Sequence, residues 1–246
     1  MNNNKKTIYL VGDSTVQSYG IDREPQAGWG QLLMRQVVHN NAYTISHPQD
    51  TEFGQVVRYE SENLVIDNRA MAGRSSKSYF DEGRIQEVLG LLKTGDIMLI
   101  QFAHNDANIN KPERYLSCDD YKKMLLDNYI VPAREKGAIP VLLTAIAMRE
   151  FDEMGKCKIS FPEYRAAMIE LSKKENVALI DLGLLTADFN TLVGEEGCKS
   201  IYLWLPEALF EGFKEGSTDN AHLQYNGAFA YAKLVYEELI RLNMIS

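Results

Sequence analysis

The amino-acid sequence predicts a three-layer α/β/α fold around a five-stranded parallel sheet, with the strands in flavodoxin-like order. Five short apolar runs rich in Val, Ile and Leu are spaced along the chain, as strands covered on both faces should be. Longer segments with apolar residues at helical spacing lie between them, so each strand returns by a crossover and not by a tight turn. No compositional break divides the 246 residues, a length that suits one core, and residues 1–246 read as one domain.

The first run is residues 8–11. It follows Lys5-Lys6 and stops at Gly12-Asp13, too short for a secretory core and without a small-residue cleavage site. It therefore reads as the first buried strand of a cytoplasmic protein. Residues 29–38 set Trp29, Leu32, Leu33 and Val37 on one helical face. Strands at 64–66 and 97–102 come next, then a helix over 119–136 carrying Tyr121, Met124, Leu125, Tyr129 and Ile130. A strand at 140–146, a helix at 162–174, a strand at 178–182 and a final helix at 225–242 complete the pattern. Two segments resist it. Residues 39–62 are polar and irregular, and residues 186–217 mix apolar positions with a glycine-flanked polar stretch. Long insertions beside the carboxyl ends of parallel strands commonly wall a cleft.

Composition narrows the function. The chain is 45% hydrophobic and 24% charged, ordinary for a soluble globular protein. Its formal net charge of -8 offers nothing to replace counterions along a phosphate backbone, so no nucleic-acid partner is expected. No stretch approaches the ~20 apolar residues that span a bilayer, so no membrane partner is expected. Cys118, Cys157 and Cys198 are odd in number and widely spaced; they read as free thiols in a reducing compartment. No cluster has metal-ligand spacing and no phosphate-binding glycine loop is present, so neither metal nor cofactor is expected.

Polar clusters follow the strands. Gly12-Asp13-Ser14-Thr15 comes after the first, Asn68 to Ser75 after the second, and His104-Asn105-Asp106 after the third. Asp219-Asn220-Ala221-His222 precedes the last helix, in a loop. A doubly wound sheet brings all four to one edge. A serine hydroxyl needs a base, and the base needs an orienting carboxylate. Of the four histidines, His39 and His47 read as solvated loop residues, and His104 as a cleft-wall or packing residue. His222 has Asp219 three positions earlier, so one ring nitrogen can face the carboxylate while the other faces Ser14. Taken singly, each motif has a plainer meaning. D-x-x-H arises often by chance, and Gly-Asp-Ser-Thr by itself reads more readily as a strand-to-helix turn with capping side chains.

In combination, Gly12-Asp13-Ser14, the Gly73 turn, Asn105 and the D-x-x-H pair resemble the four sequence blocks of the SGNH (GDSL-like) hydrolases, over essentially the whole chain. Within that superfamily, G-D-S-T-V, N-R-A-x-x-G-R-S-S-K-S-Y and H-N-D, together with Gly28-Trp29-Gly30, are similar to the rhamnogalacturonan acetylesterase branch. The resemblance implies Ser14 as nucleophile, His222 as general base and acid, and Asp219 as the group that orients it. It also implies an oxyanion hole from the backbone N–H of Ser14 and Gly73 and the side-chain amide of Asn105. One position departs from the pattern: Ala103 stands where a glycine is frequent, a change read here as minor.

The function so implied is a serine esterase that removes O-acetyl groups from plant cell-wall-derived sugars, with an acetylated rhamnogalacturonan oligosaccharide as the partner molecule. Two rivals stand beside it: a lipase or thioesterase using the same three residues, and a non-catalytic sugar-binding module. The oligomeric state is left open. Among possible substrate contacts, Arg74 suits a sugar carboxylate or a neighbouring acid equally, and Trp204 suits a sugar platform or the core equally. His104 is a third candidate. Trp29, Tyr225 and Phe229 read as packing residues.

Overall fold

A computed structural model describes residues 5–38, 42–49 and 51–245, so His39 lies outside the described residues. The chain runs through strand β1 (Lys6–Gly12), helix α1 (Trp29–Val37) and strands β2 (Thr44–Ser46), β3 (Val57–Glu60) and β4 (Leu64–Asn68). Helices α2 (Ser76–Asp81) and α3 (Arg84–Leu91), strand β5 (Ile97–Gln101) and helices α4 (Cys118–Leu125) and α5 (Val131–Glu135) follow. Then come β6 (Ile139–Leu143), α6 (Pro162–Glu175), β7 (Ala178–Ile180), α7 (Leu182–Val193), β8 (Tyr202–Leu205), β9 (Ser217–Leu223) and α8 (Tyr225–Arg241).

The main sheet has the order β2-β3-β4-β1-β5-β6-β7. Its five strands from β4 to β7 are parallel, and they are the five read from the sequence. Numbered by themselves they give the order 2-1-3-4-5, the flavodoxin order, which reverses direction at β1. The sheet is larger than expected: segment 39–62 contributes β2 and β3, which pair antiparallel onto β4's outer edge. Segment 186–217 is also more regular than expected. It holds most of α7 and the whole of β8, and β8 pairs with β9 in a separate two-stranded sheet.

Period-two alternation sorts the strands' side chains into two cores. Ile8, Leu10, Ile97, Leu99, Val141 and Leu143 face Trp29, Leu33, Tyr231 and Val235 of α1 and α8. Tyr9, Val11, Met98, Ile100 and Leu142 face Tyr79, Val88, Tyr121, Tyr129 and Met168 of α2 to α6. The helix expected over 119–136 is interrupted by a π turn at Leu126–Ile130. Pro132, the second residue of α5, has no N–H to give to the carbonyl four residues back and accounts for the break. Helices α2 and α3, which the sequence reading left out, are short and separated by Gly83 at φ 78°. None of the described helices is long and apolar enough to cross a membrane.

Candidate active site

The site forms where β1 ends. Gly12 lets the chain turn against its neighbours: a Cβ there would lie 2.7 Å from the Gln101 carbonyl oxygen. Asp13 is buried, and its Oδ1 accepts from Thr15 N–H at 2.9 Å and Thr15 Oγ at 2.8 Å. Thr15 Oγ1 in turn accepts from Gln101 Nε2 at 2.6 Å, and Gln101 Oε1 from the Trp29 indole at 2.9 Å. The turn that presents Ser14 is therefore fixed from within by a buried polar chain, in which Asp13 Oδ2 is the buried atom left without a partner. The capping role of Asp13 is among the readings of this motif in the sequence; the part played by Gln101 was not legible there.

The histidine arrives from the other end of the chain. Asp219 to His222 were expected in a loop; they lie instead inside β9. The β8–β9 register jumps there: Tyr202 pairs with Leu223 and Trp204 with Thr218. Residues 219–222 are thus bulged out of the ladder, a device that re-aims side chains beside active sites. Asn220 anchors the bulge, accepting from the Trp204 indole at 2.8 Å and, through its carbonyl, from Arg149 N–H at 2.8 Å. Where β9 ends, Ala27 N–H donates to the Leu223 carbonyl at 3.1 Å and Tyr225 N–H to the Pro25 carbonyl at 2.9 Å. These bonds join the two chain ends.

Ser14 Oγ then stands 2.9 Å from His222 Nε2, and His222 Nδ1 stands 2.6 Å from Asp219 Oδ2. Asp219 Oδ1 accepts from the backbone N–H of Ala221 at 2.7 Å and of His222 at 3.0 Å. Burial alone would raise the Asp219 pKa, but the His222 ring and these backbone donors hold it well below the usual carboxylate range. For His222, burial opposes the charged ring, and the hydrogen bond and charge of Asp219 override it, so its pKa is raised.

Gly73 and Asn105 follow the ends of β4 and β5, the strands flanking β1. Met71 N–H donates to the Gly12 carbonyl at 2.9 Å, drawing the Gly73 turn up to the serine turn. Gly73 is required by its φ of 74°; close packing is not the reason, since a Cβ would come no nearer than 3.5 Å to Arg114. Asn105 Nδ2 spends one hydrogen on the Arg74 carbonyl at 3.0 Å and keeps the other. Among the described residues, no protein acceptor takes the N–H of Ser14 or of Gly73. Asp106, the last residue of H-N-D, pins this turn to α2, accepting from Ser76 N–H at 2.8 Å and from Ala103 N–H at 3.1 Å. Its burial pushes its pKa up to about 7.

The suggested substrate contacts are engaged elsewhere. Arg74 pairs with Glu82 at 2.9 Å and donates to the Ala72 carbonyl, so the neighbouring-acid reading holds for it. The Trp204 ring has Arg149 and Lys199 against it at 4.5 and 4.9 Å, so it supports the bulge and is not a free platform. His104 packs edge-on against Phe161 at 4.9 Å, with Nε2 shielded from solvent and unpartnered. His47 is exposed. The open space beside Asp219 and His222 is a cavity of about 420 Å³ lined by Gln17, Tyr19, Arg23, Gln26 and Phe213, among others.

A hydroxyl–imidazole–carboxylate relay at the switch point of a flavodoxin-order sheet places the chain among the SGNH serine hydrolases. Comparison with known proteins narrows the class. No protein-family model matches the chain. A Bacillus subtilis (strain 168) protein named "Probable rhamnogalacturonan acetylesterase YesY" is 37% identical over 237 residues, spanning 96% of this chain and 94% of YesY. RhgT of the same organism, named a rhamnogalacturonan acetylesterase, is 33% identical over 237 residues, spanning 96% of this chain and 90% of its own. The crystal structure of YxiM from Bacillus subtilis superimposes with a TM-score of 0.75 at 27% identity, over 98% of this chain but 57% of that one. The chain belongs to the rhamnogalacturonan acetylesterase family and is a carboxylic ester hydrolase.

Proposed function

We propose that the chain removes O-acetyl groups from rhamnogalacturonan oligosaccharides by way of an acetyl-enzyme. Ser14 Oγ attacks the ester carbonyl carbon while His222 Nε2 takes its proton, and Asp219 stabilises the imidazolium that forms. The carbonyl oxygen becomes an oxyanion facing three unspent donors: the N–H of Ser14, the N–H of Gly73 and the second Asn105 amide hydrogen. Each such donor contributes about 2.7–4 kcal/mol in the transition state. The proton on His222 passes to the departing sugar oxygen. Water, deprotonated by the same nitrogen, then attacks the acetyl group and releases acetate.

The observation that carries this reading is the 2.9 Å contact between Ser14 Oγ and His222 Nε2. The names of YesY and RhgT support the substrate, and so does the cavity, where Gln17, Arg23 and Gln26 suit a sugar better than an acyl chain. The test is acetate release from acetylated rhamnogalacturonan oligosaccharides by the native chain and by Ser14→Ala. The variant is expected to lose activity by about 10⁴-fold or more. Equal release by the two proteins would remove the mechanism, and a preference for octanoyl over acetyl p-nitrophenyl esters would remove the substrate class.

A further inference from the structure

The loop that follows H-N-D takes no part in the mechanism above, yet it rests on the oxyanion turn. Its ends are tied together. Leu116 N–H donates to the Asp106 carbonyl at 3.1 Å, and Tyr164 Oη donates to the Leu116 carbonyl at 2.6 Å. Residues 107–115 between them form a compact Ω-loop. Backbone bonds hold the loop from within. Asn108 N–H donates to the Asn105 carbonyl at 3.3 Å, Lys111 N–H to the Asn108 carbonyl at 2.9 Å, and Arg114 N–H to the Lys111 carbonyl at 2.8 Å. The loop is chained turn by turn to Asn105, which supplies one of the three oxyanion donors.

Its folding back lays Arg114 against a second of those donors. The place a Cβ on Gly73 would take lies 3.5 Å from Arg114 Nη1 and 3.9 Å from its Cζ and Nη2. The guanidinium therefore occupies the side of Gly73 where a side chain would stand. Its charge is present at any working pH, and little around it compensates that charge. Among the described residues its ionic neighbour is Glu113, adjacent in the chain, at 3.7 Å, beyond hydrogen-bond range. Glu113 is 60% exposed and Arg114 35%, so solvent screens the acid more than the base. Arg74, one residue past Gly73, differs: it is spent on Glu82 at 2.9 Å. One arginine at this turn is neutralised, and the other is left charged beside the Gly73 peptide.

We propose that Arg114 is a positioning residue for ester hydrolysis. Acting through the Gly73 turn, it keeps that turn in place and sets a fixed positive charge beside the peptide whose N–H meets the oxyanion. A charge placed before the reaction favours the anionic tetrahedral intermediate over the neutral ester, with no reorganisation when the anion forms. This rests on the Ser14 mechanism proposed above and adds to it a group from outside the four sequence blocks.

Hydrolysis of p-nitrophenyl acetate by the native chain, Arg114→Gln and Arg114→Lys tests it. Arg114→Gln is expected to lower kcat about tenfold with KM nearly unchanged, because the ground-state ester carries no charge. Arg114→Lys keeps the charge and is expected to lose about threefold or less. Both variants should melt with the native chain, since the side chain is half-buried and lies on a surface loop. Inhibition by methaneboronic acid reads the same effect without turnover. A bond forms between boron and Ser14 Oγ, the serine proton passes to His222, and the tetrahedral boron keeps the negative charge with no group leaving. Its inhibition constant should rise in Arg114→Gln by about the factor that kcat falls. An Arg114→Gln protein with native kcat, a lysine variant as slow as the glutamine one, or an inhibition constant that stays put while kcat falls overturns the proposal. None of these touches the Ser14 mechanism, which fails only if Ser14→Ala hydrolyses the ester as the native chain does.

Discussion

Gln101 Nε2 donates to Thr15 Oγ1 at 2.6 Å, so the end of the strand beside β1 is hydrogen-bonded to the residue after Ser14. The same side chain accepts from the Trp29 indole at 2.9 Å. Replacing it by leucine keeps the volume and leaves the buried indole N–H without an acceptor, at about 1–3 kcal/mol. Gln101→Leu is therefore expected to lower the melting midpoint by about 3–10 °C and also to reduce kcat, since the serine turn loses one of its ties. A melting loss with kcat unchanged would show that this chain supports the fold alone.

The acid side of the pH profile belongs to His222. An imidazole takes a proton only when neutral, and His222 is held above the ordinary ~6.5 because Asp219 outweighs its burial. As pH falls through that raised value the ring becomes charged and kcat/KM declines, so the acid limb lies above ~6.5. Asp219→Asn removes the cause of the increase, and burial then depresses the ring's pKa. The limb should move to lower pH while kcat drops about 10³–10⁴-fold. Rate measurements from pH 5 to 9 on both proteins check the sign: a limb that stays in place rules out Asp219 as its origin.

These residues differ in how far the sequence announces them. The central strands read as apolar runs and polar clusters follow three of them directly, so Ser14, Gly73 and Asn105 were legible, while His222 was legible from Asp219 three positions before it. β2 is exposed along its length and gave no apolar signal. The bulge in β9 depends on its register against β8, which no local pattern encodes. Arg74 and Trp204 carry suitable chemistry, yet their partners, Glu82 and Arg149, decide what they do.

Trp204 separates two roles by kinetics. Its indole N–H holds Asn220 in the bulge between Asp219 and His222. Trp204→Phe keeps an aromatic ring for Arg149 and Lys199 and removes that hydrogen bond. The expected outcome is a kcat reduced several-fold with KM nearly unchanged, since a loosened bulge misplaces the imidazole without altering the cleft. A sugar platform would behave oppositely, and a raised KM with intact kcat would restore that reading.

Ala103 is the departure from the family pattern, and the structure makes it more than minor. Its φ is 128°, a region side chains avoid, and its N–H and carbonyl are fixed by Asp106 at 3.1 Å and Ala107 at 3.0 Å. Glycine there would relieve about 1–3 kcal/mol of backbone strain. Against this stand about 0.8 kcal/mol for the buried methyl and about 0.5–1 kcal/mol of chain entropy. The effects nearly cancel, so Ala103→Gly should melt within about 4 °C of the native chain, where an unstrained buried alanine would lose more. Ala103→Val, β-branched in the same conformation, should melt about 5 °C lower or more. If thermal melts place both variants equally far below the native chain, Ala103 carries no strain and the methyl alone accounts for its presence.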